Sequence, residues 1–574
     1  MNQDSQREQA LAPLSRHSKS QPWDMLIIGG GITGAGIARE AVRRGLKVLL
    51  VEQKDFAWGT SSRSSKMVHG GLRYIASGDV KTTLHSVRER ERMLNEAGGL
   101  VKEMHYIMPH YKGKFPPPWI FNNLLRVYDT LAGKRYHKYY KKDAFLRISP
   151  NLKSDKFLGA SQFSDAVTDD SRLVMRVLEE AVHDGAHIIN YLKAESLLTD
   201  EQGLVIGAKL VDTSTDYPIS SGSSAPANDS GGHYDVYAKV VVSATGAWAD
   251  QLRMEASQQS EATFRKQIRP SRGSHVVISR DRLPIDQAYT LLHPVDKRAL
   301  FVFPWETRTV IGTTDLDNPP LDDQEVGITS AELDYLLLAA NDLFDQAKLT
   351  REDVISTWAG VRPLISASSA SDDNSDTAEA KRVSPSKEKR DHSVWLDHNL
   401  VTVSGGKLTT FRLIALDVLK ICQPLLPQIQ MPVTDDRVFS SPATIAEQQI
   451  AHPKFATLPT LLQQRLQGFY GRKLNDLLAL AHEDDLTYID GTNTIWAEIR
   501  FAAHFEQVIH LDDLLLRRTR LGLLLPQGAM TVPISSRLQQ ICQQELGWSE
   551  DKWQQEVQRY TQLWQRYYHL PTAI

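Results

Sequence analysis

Three glycines, Gly29, Gly31 and Gly34, give the spacing G-x-G-x-x-G. In that spacing the first glycine permits a tight turn and the second lets the backbone approach a pyrophosphate. The third lets a helix pack closely on a strand. Glu52 follows at the place where a carboxylate accepts hydrogen bonds from ribose hydroxyls. The chemistry so defined is the binding of a dinucleotide, FAD or NAD, and the glycines alone leave that choice open. A second cluster follows at once. Trp58 to Ile75 reads WGTSSRSSKMVHGGLRYI, with hydroxyls, small residues, a histidine and three cations in one loop and helix start. Such a segment can hydrogen-bond a pyrophosphate and approach a planar ring. Its histidine, His69, carries an imidazole, a group suited to taking a hydroxyl proton.

The elements that must hold these residues are legible around them. Met25 to Ile28 is a short apolar strand, and the helix AGIAREAVRR follows the glycines and is closed by Gly45. A second strand, Lys47 to Val51, ends at Glu52. The helix N-terminus offers free N–H groups and a positive dipole to phosphates. Strand, glycines, helix, strand and acid in this order set the segment apart from a glycine-rich structural turn. Further on, VVVSATG and VTVSGG predict buried strands that end in glycine turns. Two segments, Asp212 to His233 and Ser366 to Arg390, are too poor in large apolar residues to order themselves. Both are predicted to be surface insertions. From about Phe439 the pattern becomes helical. Phe501 to Arg520 and Leu538 to Tyr568 show helical spacing with charged faces, which predicts a helical C-terminal domain over 439–574.

A chain of 574 residues is long enough for more than one domain. Its 66 basic and 69 acidic residues nearly balance, so the whole chain has no bias towards polyanionic partners. Two cysteines, Cys422 and Cys542, exclude a disulfide framework and a cysteine-based metal site; no metal is expected, and the count fits a reducing compartment. Residues 1–22 are polar, with no signal-like apolar core, and are predicted to be a disordered tail, with order beginning near Trp23. No apolar run of about 18 residues predicts a transmembrane helix.

At this point the chain resembles the FAD-dependent glycerol-3-phosphate dehydrogenases of the quinone-linked, aerobic type. The carrying motifs are IIGGGITGAGIAREAVRRGLKVLLVE, GTSSRSSKMVHGGLRYI, DDSRLV, SATGAW, RGSHVV, IGTTD, WAGVRPL, SGGKLTTFR and LLLRRTRLG, in order from about residue 24 to 522. The resemblance implies FAD as cofactor and an α/β fold. Its FAD-binding Rossmann-like domain, of the glutathione-reductase and amino-acid-oxidase type, is non-contiguous over 23–430. A substrate-binding sheet is inserted at roughly 80–160 and 255–365, and an α-helical C-terminal domain follows. Matched motif by motif, Gly29, Gly31, Gly34, Glu52, Thr60, Ser61, Ser65, Lys66 and His69 are expected to bind FAD. So are Ala244, Gly246 and Trp248, and the return Gly405, Gly406, Lys407, Leu408 and Thr409. Where relatives often carry Lys-Gly-Ser-His, this chain has Arg272-Gly273-Ser274-His275, a planar fork in place of a point charge.

The implied reaction is oxidation of sn-glycerol 3-phosphate to dihydroxyacetone phosphate, with hydride passing to the flavin and electrons to quinone. A doubly charged phosphate needs cationic hosts, for which Arg is well shaped. Arg73, Tyr74, Arg272, Arg362, Arg390 and Lys407 are the expected substrate contacts. Arg362 also counts as catalytic, and Arg362 and Lys407 each lie in a glycine-flanked turn after an apolar strand. His69 is the favoured base and His275 the second candidate. The resemblance places the protein peripherally on the cytoplasmic face of the inner membrane, or in the cytoplasm, and leaves oligomeric state open, a homodimer included. Three alternatives stand beside it: an oxidase that uses O2, a related flavoenzyme acting on an amino acid, and a non-catalytic flavin-binding protein. Several cations argue for phosphate over an amino-acid carboxylate.

Pro109 to Lys142 holds eight Lys/Arg and one Asp, interleaved with aromatics, and Trp119 to Leu131 predicts a short amphipathic helix. Basic residues favour anionic headgroups, and Trp and Tyr rings favour the interface. Without a nucleic-acid-binding motif, nucleic acid is not an expected partner. The competing reading is a solvated basic loop that packs its aromatics on the core.

Overall fold

The computed structural model describes residues 3–72, 75, 79–134, 136–215, 232–259, 264–318, 321, 324–366, 392–430, 433, 436–439 and 452–571. Most of both predicted insertions, and Arg73, Tyr74 and Arg390, lie outside the described residues.

The strand Trp23–Ile28 is buried at every position and lies at the centre of the first sheet. It pairs in parallel with Val48–Val51 on one side and His233–Ser243 on the other. His187–Ile189 and Leu400–Gly405 extend the parallel run outward. Uninterrupted apolar strands suit a sheet covered on both faces. Helices Ile32–Val42, Asp170–His183 and Phe411–Cys422 share one core with these strands. An antiparallel pair, Leu192–Thr199 and Val205–Asp212, joins the start of His233–Ser243 and carries a separate core.

The second sheet has ten strands, nearly all antiparallel. Lys102–Tyr111 pairs with Phe157–Val167, and Ile268–Ser279 lies between Arg308–Gly312 and Val354–Ile365. Its register sets Trp358 opposite His275 and Arg362 opposite Ser271. Gly273 leaves room for the Arg362 guanidinium, which a Cβ there would approach to 2.2 Å.

The C-terminal helices do not build a core of their own. Leu462, Leu466 and Phe501 pack with the helices of the first sheet, whereas Leu514, Trp553 and Trp564 pack with Phe163 and Trp358 of the second. The continuous, surface-charged helix expected over 501–520 is corrected. Helix Trp496–Phe505 stops, Asp513–Arg518 is a π-helical turn, and Arg517, Arg518 and Arg520 are all buried against carboxylates elsewhere in the chain.

The disordered tail expected over 1–22 is likewise corrected. Gln3–Leu11 is a helix, followed by a 3-10 turn, Ala12–Arg16. The Gln3 amide donates to the carbonyls of Val508 and Ile509, and its oxygen accepts from the Trp548 indole. Arg7 donates to Asp212 and to the carbonyls of Asn190 and Tyr191. A polar segment is ordered here through hydrogen bonds to two domains and through Leu14, which is buried in the core on one face of the first sheet. No helix among the described residues is long and apolar enough to cross a membrane.

Candidate active site

A cleft of about 380 Å³ opens at the carboxyl ends of the parallel strands. Gly29, Gly31 and Ile32 line it, with Trp58, Thr60 and Ser61 from the next loop. Ala244, Gly246 and Trp248 come from the turn after His233–Ser243, and Gly405 to Leu408 from the turn after Leu400–Gly405. Pro363 reaches it from the second sheet, so the cleft lies where the two sheets meet.

The glycine fingerprint has the geometry its spacing predicts. Gly29 has φ +118°, and a Cβ there would meet the Ala244 carbonyl oxygen at 2.5 Å. Gly34 does not face the cleft; its Cβ would sit 1.9 Å from the Gly29 carbonyl oxygen, which fixes how closely the helix packs on the turn. The N–H of Ile32, in the first helical turn, donates to the Ser61 hydroxyl at 2.9 Å. Thr60 donates to the Val361 carbonyl and so ties the same loop to the second sheet. Glu52 lines the cleft with one oxygen held by the Gly30 N–H at 2.7 Å and the other by the Lys54 N–H at 3.0 Å. Each oxygen keeps a second lone pair for a hydroxyl donor. Burial pushes this carboxyl above its ordinary value.

Four expected cofactor contacts sit behind or beside the cleft wall. Lys66 does not line the cleft: its ammonium meets Asp170 at 2.9 Å and lies between the rings of Trp305 and Trp358. Burial pulls it down to about 8. The Ser65 hydroxyl meets His275 Nε2 at 2.9 Å. His275 is buried and stacked on Trp358, and burial followed by the Arg362 and Lys66 cations holds it well below its ordinary value. The structure therefore places His275 behind the loop, not on the cleft wall. His69 is half-buried, and its carbonyl accepts from Thr409 Oγ1 at 3.4 Å, which puts both residues beside the Gly405–Leu408 return.

Of the described cations, Arg362 and Lys407 stand nearest to the expected role. Arg362 donates to Thr313 Oγ1 at 2.9 Å and pairs with Asp315 at 3.4 Å, next to cleft-lining Pro363. Lys407 lines the cleft and donates to Ser86 Oγ at 3.4 Å. Arg272, expected as a substrate contact, is not among the residues lining this cleft, and its guanidinium meets the buried Glu332 carboxylate at 3.1 Å.

Several lining residues escaped the sequence reading. Ser64 lies inside a segment already singled out, but nothing separated it from its neighbouring serines. Lys193 and Ala194 carry no signal at all; they reach the cleft because the Leu192 N–H donates to the Glu52 carbonyl at 2.8 Å. Among the described residues no group of His, Cys, Asp and Glu is arranged to hold a metal ion.

The cleft and its two sheets define an FAD-binding α/β oxidoreductase. The FAD dependent oxidoreductase family matches residues 24–406, and the C-terminal domain of alpha-glycerophosphate oxidase matches residues 441–553. An aerobic glycerol-3-phosphate dehydrogenase of Staphylococcus haemolyticus is 32% identical, over 88% of each chain. An alpha-glycerophosphate oxidase of Streptococcus pyogenes serotype M6 is 32% identical, over 93% of this chain and 94% of that one. A solved glycerol-3-phosphate dehydrogenase from Bacillus halodurans, complexed with FAD, covers 97% of each chain with a TM-score of 0.72 and 26% identity. The chain belongs to the family of FAD-dependent glycerol-3-phosphate dehydrogenases and oxidases. Its cofactor is FAD, and the donor set of the cleft fits it: close-approach glycines, a helix N-terminus, Glu52 and a ring of backbone and hydroxyl groups.

Proposed function

We propose that the chain oxidises sn-glycerol 3-phosphate to dihydroxyacetone phosphate and delivers the electrons to a membrane quinone. The observation that carries this reading is the placement of Arg362 beside cleft-lining Pro363, and of Lys407 on the cleft wall. These two cations hold the substrate phosphate, the fork of Arg362 by paired hydrogen bonds and Lys407 as a point charge. Bound FAD supplies the two-electron acceptor for the C2 hydrogen. His69, beside the Gly405–Leu408 return, takes the C2 hydroxyl proton. The direct test is anaerobic addition of glycerol 3-phosphate to the holoenzyme. Bleaching of the flavin's visible band is expected, and an unchanged spectrum overturns the reading.

Delivery to quinone requires a seat at the membrane. Phe115 and Trp119 are 70% and 68% exposed, with Lys112 and Lys114 exposed beside them, at the start of helix Pro118–Ala132. This surface supports peripheral attachment to an anionic membrane interface, which we place at the cytoplasmic face of the inner membrane. Transfer to O2 is the second reading, since the streptococcal oxidase is as similar in identity as the staphylococcal dehydrogenase. Peroxide formed per turnover, with and without a quinone analogue, separates the two.

A further inference from the structure

The motif LLLRRTRLG lies in the C-terminal domain, away from the cleft wall. Its three arginines nevertheless converge on the loop that forms part of that wall. Arg518 grips Asp55 with both fork nitrogens, at 2.7 and 2.8 Å, and Arg517 Nε reaches the same carboxylate at 2.5 Å. Two successive residues of a regular α-helix diverge by about 100°, and it is on the π-helical turn Asp513–Arg518 that both side chains reach one acid. Arg520, at φ +63°, then turns back in the opposite sense. It pairs with Asp169 at 3.2 Å and with Asp170, and donates to the Ser62 carbonyl at 3.1 Å. Asp170 in turn accepts from both the N–H and the hydroxyl of Ser64, at 2.9 and 2.7 Å. All three arginines and the three acids are buried.

The loop is thus fixed at Asp55 and again at Ser62 and Ser64, and the stretch between includes Trp58, Thr60 and Ser61 of the cleft wall. Burying ion pairs contributes little net stability, because desolvation offsets the attraction, whereas removing one partner strands the other. Their value here is geometric. We propose that Arg517, Arg518 and Arg520 are positioning residues of the flavin site, through which the C-terminal domain sets the 55–64 loop against FAD. The proposal depends on FAD as cofactor and is independent of the substrate and acceptor proposed above.

The test follows FAD release from the holoenzyme by the rise in flavin fluorescence, with the visible circular dichroism of the bound flavin and the melting temperature recorded in parallel. Arg520→Gln is expected to release FAD at least ~10-fold faster and to alter the flavin dichroism, through loss of charged hydrogen bonds. Arg520→Lys, which keeps the charge but loses the fork, is expected to fall between the two. Asp170→Asn, which lies off the cleft wall, is expected to speed release in the wild type and to add less than its full effect in the Arg520→Gln background, because the two residues share one ion pair. An Arg520→Gln enzyme that melts earlier yet keeps the wild-type release rate and dichroism overturns the proposal and leaves domain packing as the role. Independent, multiplying effects of Asp170→Asn and Arg520→Gln overturn it too. If Arg520→Gln does not fold, Arg520→Lys replaces it in both comparisons and is judged by the same outcomes.

Discussion

Lys66 and Asp170 meet at 2.9 Å with both side chains wholly withdrawn from solvent. Burial, reinforced by the Arg520 cation, pulls the lysine from an ordinary 10.5 to about 8, against the pull of Asp170. A base lowered in the folded state holds its proton less well there than in the unfolded chain. Below pH 8 both states carry the proton, and the cost of the buried cation is fully present. Between about 8 and 10.5 the unfolded chain keeps a proton that the folded chain has lost, so this group's contribution to stability rises with pH. Melting temperatures of the wild type and of Lys66→Gln, compared from pH 7 to pH 10 (roughly the span of the titration), are expected to shift in favour of the wild type as pH rises. Parallel curves would remove Lys66 as the titrating group.

Gly34→Ala places a methyl 1.9 Å from the Gly29 carbonyl oxygen. The obstacle is backbone, so no side chain can swing aside. The helix must then back away from the turn that carries Gly31 and the N–H groups of its first residues. Purified Gly34→Ala protein is expected to hold several-fold less FAD, read from the ratio of flavin to protein absorbance. Full flavin loading would show that this contact does not set the cradle.

His69→Gln keeps a polar side chain of similar reach but removes the base. Flavin reduction by glycerol 3-phosphate, followed by stopped flow, is expected to slow by ~10²-fold or more while FAD stays bound. Near-wild-type reduction would take the proton-accepting role away from His69.

How much of this was readable in advance depends on how local each interaction is. The βαβ unit from Trp23 to Glu52 could be read because strand, turn and helix are dictated by neighbours within a few residues. The turns at Ala244 and Gly405 were readable for the same reason. The ion pair of Lys66 was not readable because its partner, Asp170, lies 104 positions away, and a lysine among serines resembles a phosphate contact until that partner is known. Arg517 and Arg518 looked like a solvated face for want of Asp55, more than 460 positions upstream. The tail over 1–22 looked disordered because the order of residues 3–16 comes from carbonyls of Val508, Asn190 and Tyr191 and from one leucine, Leu14, seated in a distant core, which no composition count detects.

Arg362→Lys preserves the positive charge but not the fork. The guanidinium donates to Thr313, Thr314 and Asp315, and a lysine cannot keep those bonds and also grip a phosphate bidentately. The KM for glycerol 3-phosphate is expected to rise by ~10- to 100-fold, the worth of one or two charged hydrogen bonds. kcat is expected to change less, because binding and not proton transfer is lost. Steady-state kinetics at fixed acceptor concentration measures the split, and an unchanged KM would exclude Arg362 as the phosphate host.

The exposed pair Phe115 and Trp119 makes the membrane proposal open to a sharp test. Helix Pro118–Ala132 turns Phe121, Leu125 and Tyr128 inward, and that apolar face is already spent on the core. Trp119 and Phe115 are left outward, with Lys112, Lys114 and Arg126 exposed nearby. Each ring contributes about 1.5–3 kcal/mol if it enters an apolar phase, so Phe115→Ser with Trp119→Ser should lower partitioning onto vesicles by at least ~10-fold. Lys112→Gln with Lys114→Gln should weaken binding to anionic vesicles and leave neutral ones unaffected, since these charges act on the lipid headgroups. Raised salt should mimic the lysine pair and not the aromatic pair. Co-sedimentation with vesicles of both compositions distinguishes the two contributions. Wild-type binding by the aromatic double variant would return this segment to the role of a solvated basic loop.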